Sequence, residues 1–227
     1  MQYEEILKHL HSRANPENVQ GMARYGIRPA NPLGISMPEL RALAKQIGKN
    51  HELALQLWTS GIHEARILAC LVELPAAVTE AQMEDWVKDF DSWDVCDQCC
   101  GNLFDRTALA YQKAAEWSAR EEEFVKRAGF ALIAWLALHD KKAGDAPFLE
   151  FLPLIRRESV DPRNFVKKAV NWALRHIGKR NLRLNRAAIQ TAREILEIDA
   201  KSAKWIAADA LKELTSEKVQ ERVKRDA

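Results

Sequence analysis

Apolar positions recur along almost the whole chain at the three- and four-residue spacing of amphipathic helices. No period-two alternation long enough for a strand interrupts them. The pattern predicts short helices over residues 3–14 and 17–25. The next is opened by Ser36-Met37-Pro38-Glu39, a capping box with proline in the first turn, and runs to about Ile47. Helices over 51–59 and 63–74 follow. Thr79-Glu80-Ala81-Gln82 is a second capping box, starting a helix to about Phe90. Asp91 is placed to cap the helix that begins at Trp93. Further helices are predicted over 107–119 and 122–139, with a short one over 147–154. Asp161-Pro162 reads as an N-cap followed by proline at the first helical position, opening a helix to about Gly178. Segments 185–198, 200–214 and 216–224 complete the set.

The helices carry a weak internal repeat. Phe124-Val125-Lys126-Arg127-Ala128 resembles Phe165-Val166-Lys167-Lys168-Ala169, 41 residues on, and Trp93 aligns with these phenylalanines at an offset of 31. Helix pairs at such spacing predict a HEAT-like helical-repeat solenoid, in which each pair buries its face only against its neighbours. Curvature would then give a concave surface shared by equivalent positions of successive repeats. Connections are short and no Gly/Ser- or Pro-rich linker marks a boundary, so residues 1–227 are expected to form one all-α domain.

Charge changes this picture more than composition does. The net charge is only +2, but ten basic residues fall between Arg156 and Arg186, opposed by Glu158 and Asp161 alone. From Glu73 to Glu123 acidic residues are in excess. A local basic region on a nearly neutral chain is the footprint of a polyanion-binding surface. With no apolar run long enough for a bilayer and no signal-peptide order at the N-terminus, a cytoplasmic protein with no membrane partner is expected. Cys96, Cys99 and Cys100 crowd one helix, where neighbouring cysteines point apart. With the histidines scattered, buried reduced thiols are expected rather than disulfides or a metal site.

On the helix opened by Asp161-Pro162, Trp172, Arg175 and Lys179 fall within about 40° of Lys168 on the helical wheel. Asn164 and Asn171 flank them, and Val166, Val170, Ala173 and Ile177 lie opposite. Trp172 therefore sits in a basic stripe, as an aromatic presented to nucleic acid does. The other reading is a tryptophan packed on a neighbouring helix with basic stems running past it. Arg127 occupies the repeat position of Lys168, just before the wholly apolar run from Phe130 to Leu138. There it needs either a protein carboxylate or a ligand phosphate. Trp93 and Asp97 stand one helical turn apart, and Asp97 aligns with Ala128 and Ala169. A carboxylate on a DNA-binding surface repels phosphate, which makes sense if it serves a positively charged substrate or transition state. Pairing with Arg127, or simple solvation, are its alternatives. No phosphate-cradling glycine loop or His-Glu-x-x-His is present.

These residues resemble a known family. Met22-Ala23-Arg24-Tyr25, Leu33-Gly34-Ile35, Trp93-Asp94-Val95-Cys96-Asp97, Lys126-Arg127-Ala128 and the run from Phe165 to Arg175 are similar, in order and spacing, to the DNA alkylation repair family of HEAT-like (AlkD-like) DNA glycosylases. The resemblance implies a monomer, with no metal or organic cofactor, that excises N3- and N7-alkylpurines from duplex DNA and is nucleoid-associated when bound. It implies that Asp97 stabilises the oxocarbenium-like sugar and assists water, and that Trp93 and Trp172 pack on the lesion's sugar and backbone. Arg127 would hold a phosphate and Tyr25 would lie near the lesion, while Lys168, Arg175 and Lys179 are the expected phosphate contacts of the basic face. Relatives of this fold also bind branched DNA without clear glycosylase activity, so a non-catalytic binder of branched or damaged DNA, or a HEAT-type protein scaffold, are the alternatives.

Overall fold

The computed structural model describes residues 1–225. Among these residues it is all-helical, with fourteen α-helices, one short 3₁₀ turn at Phe104–Arg106 and no strand. The chain divides into two compact units, Met1–Ala108 and Leu109–Ala227.

The first unit holds α1 (Tyr3–Ser12), α2 (Pro16–Arg24), α3 (Met37–Ile47), α4 (His51–Thr59), α5 (His63–Val72), α6 (Glu80–Lys88) and α7 (Trp93–Asn102). Helix α5 packs on α3, α4 and α7. Helices α4 and α6 meet through Trp58 and Trp86, whose rings stack at 4.1 Å and 2°, and Trp58 Nε1 donates to Asp89 Oδ2 at 2.8 Å. The Ser36/Glu39 capping box forms as expected. At Thr79 only half of the second box forms. The threonine accepts from the Gln82 N–H, but the Gln82 amide donates to the buried carboxylate of Glu73 instead of returning to the cap.

The second unit holds α8 (Ala110–Ser118), α9 (Glu123–His139), α10 (Ala146–Glu158), α11 (Asn164–Ile177), α12 (Leu182–Leu196), α13 (Lys201–Leu214) and α14 (Glu217–Arg225). Its helices pair as α8/α9, α10/α11 and α12/α13. The second helices also pack in series, α9 on α11 and α11 on α13. Phe124 and Phe165, equivalent across the 41-residue spacing, touch with ring centroids 5.6 Å apart. Each pair buries its apolar faces against its neighbours, as a HEAT-like repeat requires. Within the α8/α9 pair, Gly129 allows a very close approach: a Cβ there would lie 2.4 Å from the Ser118 backbone nitrogen.

Helix caps or starts differ from the sequence expectation at four places; α8, expected from 107, begins at Ala110, behind the 3₁₀ turn. Ser92, not Asp91, is the cap residue of α7; the Asp91 carboxylate instead accepts from the Ala30 N–H at 3.3 Å. Helix α11 starts after Arg163, because the Asp161 carboxylate accepts from both the backbone N–H and the guanidinium of Arg163. Helix α12 starts three residues earlier than expected, capped by Asn181, while Asn185 is buried with its amide on the Gly178 carbonyl. Helix α10 runs on to Glu158, with Pro153 inside it.

Candidate active site

In the first unit, Trp93 is the first residue of α7 and Asp97 follows one turn later, both half-buried. The indole Nε1 donates to the Tyr25 carbonyl at 3.0 Å, so the end of α2 and the start of α7 meet at the tryptophan. The Tyr25 side chain itself is 74% exposed. Beneath Asp97, Cys96, Cys99 and Cys100 are buried and unoxidised, and Cys70 joins them from α5. Burial pushes the thiols of Cys99 and Cys100 well above the ordinary cysteine range, which makes them inert packing rather than nucleophiles.

Two adjacent residues at the start of α5 hold this corner together. His63, 3% exposed, sets its Nε2 2.8 Å from Asp94 Oδ2, and Ser92 Oγ donates to the other Asp94 oxygen at 2.7 Å. Burial opposes the imidazolium, but the hydrogen bond and charge of Asp94 outweigh it and raise the His63 pKa. The same contact lowers that of Asp94 against its own burial. Glu64, also buried, accepts from the N–H groups of Leu33, Gly34 and Ile35. Gly34 has φ +78°, and a Cβ there would sit 2.3 Å from the Asn15 carbonyl oxygen, so the turn needs glycine. His63 thus fixes the start of α7, and Glu64 fixes the loop that follows Tyr25. Neither stood out in the sequence, where they are simply the first two residues of the helix expected over 63–74.

In the second unit, the apolar side of α11 is buried as expected: Val166, Val170, Ala173 and Ile177 are all enclosed. Trp172 is half-buried. One edge packs on Trp135 of α9 at 5.3 Å and another on His176 at 5.8 Å, so packing on a neighbour and partial exposure both hold. Lys168 is exposed. Arg175 and Lys179 are engaged by α13: Arg175 Nη1 donates to Asp209 at 2.8 Å and Lys179 Nζ to Glu213 at 2.9 Å. Arg175 Nε also lies 2.6 Å from Glu213 Oε2, off the line of a hydrogen bond, as a charge contact. Asn171 is not a surface neighbour of the stripe; it is buried, with its amide on Asp209 at 2.7 Å. Arg127 is only 6% exposed and donates to the Phe165 carbonyl at 2.7 Å, which ties α9 to α11.

The two groupings have different chemical capacities. A carboxylate one turn from an indole, half in contact with solvent, favours a cation twice over, through charge and through the ring quadrupole. The α11 face offers a lysine, an aromatic edge and two cations already shared with carboxylates. Among the described residues no three His, Cys, Asp or Glu side chains are grouped to hold a metal ion, and no helix is long and apolar enough to cross a membrane.

The sequence profile of the DNA alkylation repair enzymes matches residues 6–214. The chain belongs to that family. The repair-family chain is also similar in structure to a protein described as one of a new family related to the HEAT-like repeat DNA glycosylases with affinity for branched DNA structures. The TM-score is 0.78 at 18% identity, covering 94% of this chain and 95% of that one. At that identity the likeness is one of fold, and it makes the fold of this repair-family member HEAT-like. A designed armadillo repeat protein aligns at TM-score 0.36 and 14% identity, over 82% of this chain and 88% of that one. No curated protein matches.

Proposed function

We propose that this DNA alkylation repair family member is a DNA glycosylase that removes cationic N3- and N7-alkylpurines from duplex DNA. The observation that carries the reading is Asp97: a half-buried carboxylate at a repeat position where α9 and α11 bury Ala128 and Ala169. An alkylated purine is positively charged, so its glycosidic bond is weakened. As that bond breaks, its electron pair moves onto the base and neutralises it, while positive charge develops on the deoxyribose. Asp97 stabilises that charge and takes a proton from the water that attacks C1′. Trp93, anchored to the Tyr25 carbonyl, packs on the lesion nucleotide and Tyr25 contacts it, and Trp172 packs on DNA from the second unit's α11. Lys168 meets phosphate directly. Arg175 and Lys179 reach phosphate by exchange from Asp209 and Glu213, and Arg127, nearly buried, acts through its charge.

The test is release of 7-methylguanine from methylated duplex DNA. Wild type should release base, and Asp97→Asn should lower the single-turnover rate by about 100-fold with DNA affinity retained or improved. No release by wild type from any N3- or N7-alkylpurine substrate sinks the proposal. A non-catalytic binder of branched DNA is the second reading, favoured by the burial of Arg127 on the Phe165 carbonyl, which suits a structural arginine. It predicts tight junction binding unchanged by Asp97→Asn.

A further inference from the structure

Of the tryptophans, Trp205 on α13 is the one that stands out as exposed, at 40%. It sits in the second turn of the helix. Lys167 of α11 reaches across to it, with Nζ 4.7 Å from the ring centroid, so one flank of the ring is covered by a cation and the rest is open. Along α13, Lys201 and Lys212 lie within about 40° of Trp205 on the wheel, and both are exposed. On the wheel Asp209 lies about 40° and Glu213 about 80° from Trp205 on the side away from Lys201 and Lys212. Asp209 is engaged by Asn171 and Arg175, and Glu213 by Lys179 and Arg175. Lys204 is answered by Asp199 at 2.7 Å. What this face presents outward is thus an exposed indole with the exposed Lys201 and Lys212 beside it, Lys212 also acting on the Asp209 carboxylate, and a large exposed aromatic in such a setting marks a contact surface.

We propose that this Lys201–Trp205–Lys212 face of α13, with Lys167, is a second DNA-contact surface that grips undamaged backbone away from the lesion. From Lys201 to Lys212 the helix rises roughly 16 Å, enough to follow two or three phosphates of one strand. The lysines take the phosphates and the indole packs on the intervening deoxyribose. DNA is the occupant that the charge selects: a protein partner for an exposed tryptophan would more often meet an apolar or acidic rim, and this rim is basic. The proposal rests on family membership for DNA as the partner and is independent of whether Asp97 is catalytic.

The experiment is anisotropy titration of an unmodified duplex oligonucleotide at several NaCl concentrations, with wild type, Trp205→Ala, Trp205→Phe and the double variant Lys201→Ala/Lys212→Ala. Expected are an affinity loss of about tenfold for Trp205→Ala, recovery of most of it by Trp205→Phe, and an unchanged salt slope for both. The double lysine variant should lower the magnitude of the slope by nearly two, because each phosphate contact contributes about 0.9. Wild-type affinity in Trp205→Ala, or a wild-type slope in the double variant, overturns the proposal. So does loss of binding in both Trp205 variants with a lowered melting temperature, which would make the residue structural. Absence of base release from every substrate would end the glycosylase reading and leave this binding result standing.

Discussion

Gly129 lies where α9 comes closest to α8, and the space it leaves is already filled by backbone. A methyl there would lie 2.4 Å from the Ser118 nitrogen and 2.9 Å from its Cα, atoms that cannot rotate away. Gly129→Ala should therefore destabilise the protein by about 3 kcal/mol, read as a lower urea midpoint at unchanged slope. His176 is a second residue with a definite sign. Burial first, then Lys179 and Arg175, lowers its pKa from 6.5 to about 4, so the fold holds it neutral. The unfolded chain binds its proton more readily. Stability from this group is complete above about pH 6.5 and is lost as pH falls towards 4. His176→Asn should remove about 2 kcal/mol of that acid sensitivity, allowing for the partial exposure of the ring, in melts compared at pH 7 and pH 4.5.

At the scale of elements, α7 is held by its neighbour rather than by its own cap. Asp94 is tied to His63 of α5, with Glu64 and Asp91 adding negative charge nearby. The folded state raises the His63 pKa, so the pair's contribution is complete below the unfolded value of about 6.5 and fades as pH rises through the folded one. His63→Gln should cost about 3 kcal/mol at pH 6 and clearly less at pH 9, in denaturant melts at the two pH values. An equal loss at both would mean that the imidazole acts by shape alone. Helix existence was legible throughout, because the apolar period is strong, but several helix caps and starts were not. Asp91, Asp161 and Asn185 are good cap residues by type. Each instead bonds elsewhere, to Ala30, Arg163 and Gly178, and two of those partners are set by folding rather than by helix chemistry.

For the whole molecule, the concentration of charge between Arg156 and Arg186 overstates the cation that is ready for a polyanion. Six of the ten basic residues face carboxylates: Arg156, Arg157, Arg163, Arg175, Lys179 and Arg183. Arg180 is turned inward onto the carbonyls of Ala137 and Ala143. Ten phosphate contacts would give a salt slope near −9. The ion pairing predicts a shallower slope, about −5 or less in magnitude, for binding of undamaged duplex by the intact protein. A slope near −9 would show that the carboxylates yield their partners to DNA.

The all-helical, repeated architecture, the place of Arg127, Lys168 and Trp172 on second helices of their pairs, and the spacing of Trp93 and Asp97 one turn apart on one helix were decided by the chain itself. Apolar spacing, turn chemistry and the 41-residue repeat are local quantities, carried by neighbouring residues. The states of those side chains were decided by tertiary structure. Whether Arg175 meets a phosphate or Asp209, whether Arg127 is open or shut against Phe165, and what anchors Trp93 depend on residues 34, 38 and 68 positions away. No periodicity encodes such distances. Only the packing of α9 on α11 and of α11 on α13, and the approach of the end of α2 to α7, brings those groups within reach, while α5 against α7 supplies the His63/Glu64 brace.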